Sequence, residues 1–128
     1  MYDSILAPIN ISSDETERIL TESLDLAHEM NAELYILHAF SPQVPEDIKK
    51  EEEELFTQTV SEIDESINVI KKDIKPVQAI TTCVQEKNID VVVLAPTNRS
   101  KLKKIMLGSV TEQTIKQVNA NVLVLSNS

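Results

Sequence analysis

The sequence predicts an α/β fold, an open parallel sheet with helices on both faces. Three observations predict it. Short apolar runs alternate along the chain with longer segments whose apolar residues recur at helical spacing. The run IDVVVLAP (Ile89–Pro96) is β-branched and does not alternate, the pattern of a strand covered on both sides. Apolar residues make up 41% of the 128 residues and charged residues 26%, a globular balance that fits one domain over residues 1–128. The core must be largely aliphatic, because the chain has no Trp and two each of Phe and Tyr.

The elements follow in order. Tyr2–Ile9 is short, apolar and interrupted near its end by Pro8, which reads as a buried strand. Ser12 or Ser13 then offers an N-cap, and Asp14, Glu15 and Glu17 suit the positive end of a helix running over about Asp14–Met30. Glu33–Phe40 is a second strand, closed by the prolines of SPQVP. From Glu46, apolar residues Ile48, Leu55, Val60, Ile63, Ile67, Ile70 and Ile74 keep helical spacing, so one long helix to Ile74 is expected. Pro76 suits the first turn of a helix that continues through Lys87, because its missing N–H would lack a partner there anyway. After the strand Ile89–Pro96 come the polar TNRSK and a short helical turn or ordered loop at Leu102–Leu107. A helix follows from Ser109 or Thr111 to Val118, and Asn121–Ser126 is a last strand. In sheets of this kind ligands bind beyond the carboxyl ends of the strands, where strand order reverses.

Charge and composition exclude several functions. A net charge of -9 argues against nucleic acid or an anionic membrane as a partner. No apolar run approaches the length of a membrane span, and Asp3 falls where a signal peptide would be basic, so a soluble cytoplasmic protein is expected. The single cysteine, Cys83, excludes an internal disulfide and reads as a small core residue. The two histidines lack metal-ligand spacing, and no metal site is expected. His38, at the end of a buried strand, reads as a hydrogen-bonded structural histidine. No catalytic triad or carboxylate pair is nominated by spacing. The acids of Glu46–Glu54 read as a solvated helix face.

One stretch carries sharper information. KLKKIMLGSVTEQ holds Gly108, the only glycine in the chain, where about nine would be usual. Arg99, Lys101, Lys103 and Lys104 stand just before it, without an acid among them. Together with ILAPIN near the start and NVLVLS at the end, DVVVLAPTNRSKLKKIMLGSVTEQ resembles the universal stress protein family over essentially the whole chain. The family's motif is Gly, two residues, Gly, nine residues, Gly and then Ser or Thr. Its positions fall here on Ala95, Asn98, Gly108 and Ser109 without a gap.

The resemblance implies a Rossmann-like sheet of the adenine nucleotide alpha hydrolase type, of strand order 3-2-1-4-5. This chain leaves little room for strand 3 before Pro76, so that strand is expected to be reduced or absent, its residues taken over by the long helix. The resemblance also implies where ATP or AMP would bind. Gly108, Ser109 and Val110 would offer N–H donors to the phosphates at a helix N-terminus, while Pro8 and Ala39 would border adenine and ribose. Departures weaken that site. Ala95 puts a methyl where the ligand should approach, and Asn98 replaces a second glycine. Pro96 removes an N–H, and Asn10 stands where binders carry an acid able to neutralise Mg²⁺.

Two functional readings stay open. One is a small regulatory module without strong catalysis, acting through self-association, an unidentified protein partner or a ligand, with Gly108 kept for the turn into the last helix. The other is an ATP- or AMP-binding switch or weak ATPase built on the loop after strand 4. Family members pair their last strands about a two-fold axis, which implies a homodimer through Val122, Leu123, Val124 and Leu125.

Overall fold

The computed structural model describes residues 2–9, 15–39, 43–64, 66–95 and 109–125. Its elements are β1 (Ser4–Ile9), α1 (Thr16–Met30), β2 (Glu33–Ala39), α2 (Glu46–Ile63), β3 (Asn68–Lys72), α3 (Pro76–Lys87), β4 (Val91–Leu94), α4 (Ser109–Gln117) and β5 (Asn121–Val124). The five strands form one parallel sheet of order β3-β2-β1-β4-β5.

The period-two alternation of the strands sorts their side chains into two cores. On one face Ile5, Ala7, Ile9, Leu34, Ile36, Val91 and Val93 meet Ile19, Leu20 and Ala27 of α1 and Phe56 and Val60 of α2. On the other, Leu6, Leu37, Val92 and Leu94 meet Ala79, Ile80, Cys83 and Val84 of α3, with Val118, just after α4, at the margin. All four residues of β4 are buried, as its unalternating run predicts. Cys83 is a core residue, its thiol pushed up by burial.

Strand 3, expected to be reduced or absent, is present. β3 has five residues, each in register with β2 from Tyr35↔Asn68 to Ala39↔Lys72. The helix expected to reach Ile74 ends at Ile63 instead. Asp64 adopts an extended backbone, and its carboxylate accepts hydrogen bonds from the Ser66 N–H (2.8 Å) and hydroxyl (2.7 Å). That side-chain turn stops the helix and redirects the chain. The 4-3-4 spacing of Ile63, Ile67, Ile70 and Ile74 imitates a helical face. In the fold Ile67 is buried before the strand, and Ile70 lies within β3, packed on the α3 side.

The inward face of α2 also differs from expectation. Phe56 and Val60 are buried, whereas Ile48 and Leu55 are 45% and 50% exposed. Both α1 and α3 end on an asparagine in the left-handed region, Asn31 (φ 52) and Asn88 (φ 51). Asparagine tolerates that conformation better than most side chains and closes both helices without glycine.

The amino ends of three strands meet at one residue, Asp90, through its side chain and its backbone. Asp90 Oδ2 accepts hydrogen bonds from the backbone N–H groups of Asp3 (2.8 Å) and Ser4 (3.2 Å). The Asp90 carbonyl accepts from Asn121 N–H. The opposite, carboxyl ends of the strands are left to the functional site.

Candidate functional site

The chain steps outward from β1 to β2 to β3, then returns past β1 to β4 and on to β5. Right-handed crossovers in opposite directions must lie on opposite faces. This is why α1 and α2 share one face and α3 and α4 the other. Between β1 and β4 the connections diverge, and a crevice forms beyond the carboxyl ends of the two strands.

The ladder between these two strands is short. β1 pairs with β4 at Ile5↔Val91 and Leu6↔Val92 alone, although β1 runs on to Ile9 and β4 to Leu94. Pro8 has no N–H to contribute to the ladder. On its other side β1 keeps full register with β2, through Pro8↔Leu37 and Ile9↔His38.

Five of the eight residues nominated from the sequence lie in described segments. Pro8 is half-buried near the end of β1. Ala39 ends β2 and packs against the α3-side core. Ala95 follows β4 and packs against the core of the α1 and α2 face. Ser109 and Val110 open α4 and are exposed. Pro8, Ala39 and Ala95 therefore all lie at the carboxyl edge of the sheet. Asn10, Asn98 and Gly108 lie outside the described residues, as do Arg99, Lys101, Lys103 and Lys104 and the turn expected at Leu102–Leu107. Around α4, the Gln113 amide donates to the Ser109 hydroxyl at 2.9 Å, so this hydroxyl is already engaged by its own helix. The first N–H groups of the helix have no intrahelical acceptor, which gives its start an affinity for anions.

Beside the crevice lies a constellation that the sequence did not disclose. His38 is 3% exposed, and its Nδ1–H donates to the Ile9 carbonyl at 3.2 Å, tying the end of β2 to that of β1. That bond fixes which ring nitrogen carries the proton in the neutral form. Nε2 lies 3.6 Å from Glu52 Oε2, and the ring stands 5.3 Å from that of Phe56. Burial pushes the imidazole below its usual value, against the opposing pull of the Ile9 carbonyl, Glu52 and Glu53. The sequence alone places Glu52 in a block of acids expected to form a solvated face. Its spacing from Phe56, four residues along one helix, is the signal that both face the same way. Lys49 of the same acidic block reaches Asp73, beyond β3, at 2.7 Å.

Among the described residues no three His, Cys, Asp or Glu side chains gather as a metal site would require. None of the described helices is long and apolar enough to cross a membrane.

Comparison with known proteins agrees with this fold. The family model described as "Universal stress protein family" matches residues 1–126. A curated universal stress protein of Methanocaldococcus jannaschii is 26% identical, over 98% of this chain and 82% of its own length. Among solved structures, the universal stress protein from Archaeoglobus fulgidus in complex with dAMP has a TM-score of 0.74 at 20% identity, covering 98% of each chain. A universal stress protein in complex with cAMP has a TM-score of 0.69 at 23% identity, covering 99% of this chain and 98% of its own.

Proposed function

The chain belongs to the universal stress protein family, and on that premise we propose that it is a cytoplasmic regulatory module of one domain, acting by pairing with a second copy and by engaging a protein partner or ligand. Its nucleotide site is degraded. The observation that carries this reading is Ala95. Where the family motif begins with glycine, this chain has a methyl group, and that residue packs against the core at the end of β4. Replacing it by glycine would open space at the crevice and remove a core contact. The sequence adds Asn98 for the second glycine, Pro96 for a lost N–H, and Asn10 for the metal-neutralising acid. Each weakens phosphate or Mg²⁺ binding at the same place.

Thermal denaturation with ATP and Mg²⁺, and separately with AMP, tests the proposal. We expect no rise in Tm with either nucleotide at millimolar concentration. A ligand present at 100 times its Kd stabilises by about 2.7 kcal/mol, a readily measured shift, and its appearance would overturn the degraded-site reading.

That outcome would favour the second reading, an adenine-nucleotide switch or weak ATPase. Its support is that solved relatives hold dAMP and cAMP, and that Ser109 and Val110 stand exposed at the start of α4. On this reading Pro8 and Ala39 border the base and ribose, and Ala95, Asn98, Gly108, Ser109 and Val110 surround the phosphate. Asn10 accepts a hydrogen bond without neutralising a cation.

Self-pairing is assigned to Val122, Leu123, Val124 and Leu125. The sheet has two outer strands, and they differ. β3 ends in Lys71 and Lys72, charges of the kind that discourage edge-to-edge association. β5 carries no charge, and its Leu123 is 42% exposed. A two-fold axis beside β5 would join two such edges into one continuous sheet.

A further inference from the structure

We propose that the groove between α1 and α2 is a docking site for a basic amphipathic helix of a partner protein. This site rests on, and deepens, the reading that the chain acts through a protein partner. Ile48 and Leu55 are exposed on α2, seven residues apart in sequence. They point within about 20° of each other and stand about 10.5 Å apart along the helix. The neighbours of α2 fix which way they point. Lys49 reaches Asp73 beyond β3, and Glu52 approaches His38 of β2. Going round the helix from Lys49 to Glu52 therefore moves about 60° from the β3 side to the β2 side. A further about 40–60° in the same sense reaches Ile48 and Leu55, on the flank facing α1. Both helices cross the same face of the sheet, side by side and in the same direction. Ile48 and Leu55 face α1 and yet stay exposed, so α1 leaves them uncovered and a groove remains. Hydrogen bonds from Ser66, and His28 of α1 beside them, hold the Asp64 carboxyl below its usual value, which puts His28 on the flank of α1 toward α2. Leu24, half-buried one turn before His28, shares that flank and extends the apolar floor.

Charge selects the occupant. α1 and α2 carry eleven acids against three bases, a net of -8. α3 and α4, on the other face, carry one acid and one base each. An excess of acid nearly equal to that of the whole chain, -9, therefore gathers on the face that holds the groove. Exposed Glu17 of α1 and Glu51 and Glu62 of α2 stand along its rims. A second copy docking symmetrically would set this charge against itself, and nucleic acid or an anionic membrane would be repelled. A helix with an apolar stripe and cationic flanks answers both features. Its stripe covers Leu24, Ile48 and Leu55, and its Lys or Arg side chains meet the glutamates. The apolar contacts hold such a helix, while the charges speed and orient its approach.

Fluorescence anisotropy of a labelled peptide of Leu and Lys, patterned as an amphipathic helix, tests this with the full chain. We expect saturable binding that a peptide of the same composition in scrambled order does not match. Ile48→Ser/Leu55→Ser is expected to raise the Kd by at least about tenfold. Glu51→Gln/Glu62→Gln should slow association and reduce its dependence on salt. Ile115→Ser, at an exposed isoleucine of α4 on the other face, should leave the Kd alone. Equal binding of the patterned and scrambled peptides, or an unchanged Kd in Ile48→Ser/Leu55→Ser, overturns the proposal. Amide chemical shifts of the wild-type chain give the same test without a substitution. The patterned peptide should perturb α1 and α2, and changes confined to α3 and α4 overturn the site. That outcome removes the groove alone. The reading beneath it fails by a different result, a rise in Tm with nucleotide.

Discussion

At His38, burial and hydrogen bonding pull the imidazole in opposite directions, and burial prevails. The folded state therefore favours the neutral ring more than the unfolded chain does, where the value is about 6.5. A depressed folded value stabilises the protein fully above about pH 6.5, and that contribution is lost as pH falls through the folded value. Urea unfolding from pH 7.5 to 5 should show the wild type losing stability on acidification more steeply than His38→Gln. Equal slopes would remove His38 as the cause. The ring protons of His38 should titrate with a midpoint below about 6.5, which tests the same point without a substitution. The sequence showed that His38 ends a buried strand. It did not show the acceptor, because Ile9 is 29 residues away and becomes a neighbour only through the β1–β2 register.

The second helix shows how an element can be found correctly and oriented incorrectly. Leu55 and Phe56 are neighbours in sequence but stand about 100° apart on a helix. Apolar spacing alone favoured Leu55, and the fold buries Phe56 against the sheet and beside His38. Phe56→Ala should cost about 3–5 kcal/mol. Leu55→Ala, at an exposed site, should stay within about 0.5 kcal/mol. Chemical denaturation of the two variants compares them directly, and a similar loss for both would mean that α2 is rotated from the face described. The end of α2, at Ile63 rather than Ile74, differs from expectation for a related reason. Isoleucines at 4-3-4 spacing satisfy a helix as well as a turn followed by a strand. The Asp64–Ser66 turn decides between the two only because β2 offers β3 a ladder of hydrogen bonds.

On the scale of the whole molecule, the two edges of the sheet differ in charge. The β3 edge carries lysines, and the β5 edge is uncharged and apolar from Val122 to Val124. If pairing at β5 stabilises the folded chain, the unfolding midpoint must depend on protein concentration by mass action. We expect Tm to rise as the protein is concentrated from the low to the high micromolar range, and the rise to vanish in Leu123→Lys. A Tm independent of concentration in the wild type would count against self-pairing over that range.

By itself the sequence determined the order of elements apart from β3, the double-sided burial of β4 and the family. These are properties of local pattern and fixed spacing: an unalternating β-branched run, and Ala95, Asn98, Gly108 and Ser109 in unbroken register with the family motif. It also supplied the departures from the family motif on which the degraded-site proposal rests, since a missing glycine or carboxylate is visible in the residues themselves. The tertiary structure alone decided that β3 exists, which face of α2 is buried, and that His38 joins Ile9, Glu52 and Phe56. Each of these depends on a partner distant in the chain. Ladder hydrogen bonds, burial and side-chain pairing are set by whatever the fold brings alongside, and local periodicity carries no record of that neighbour.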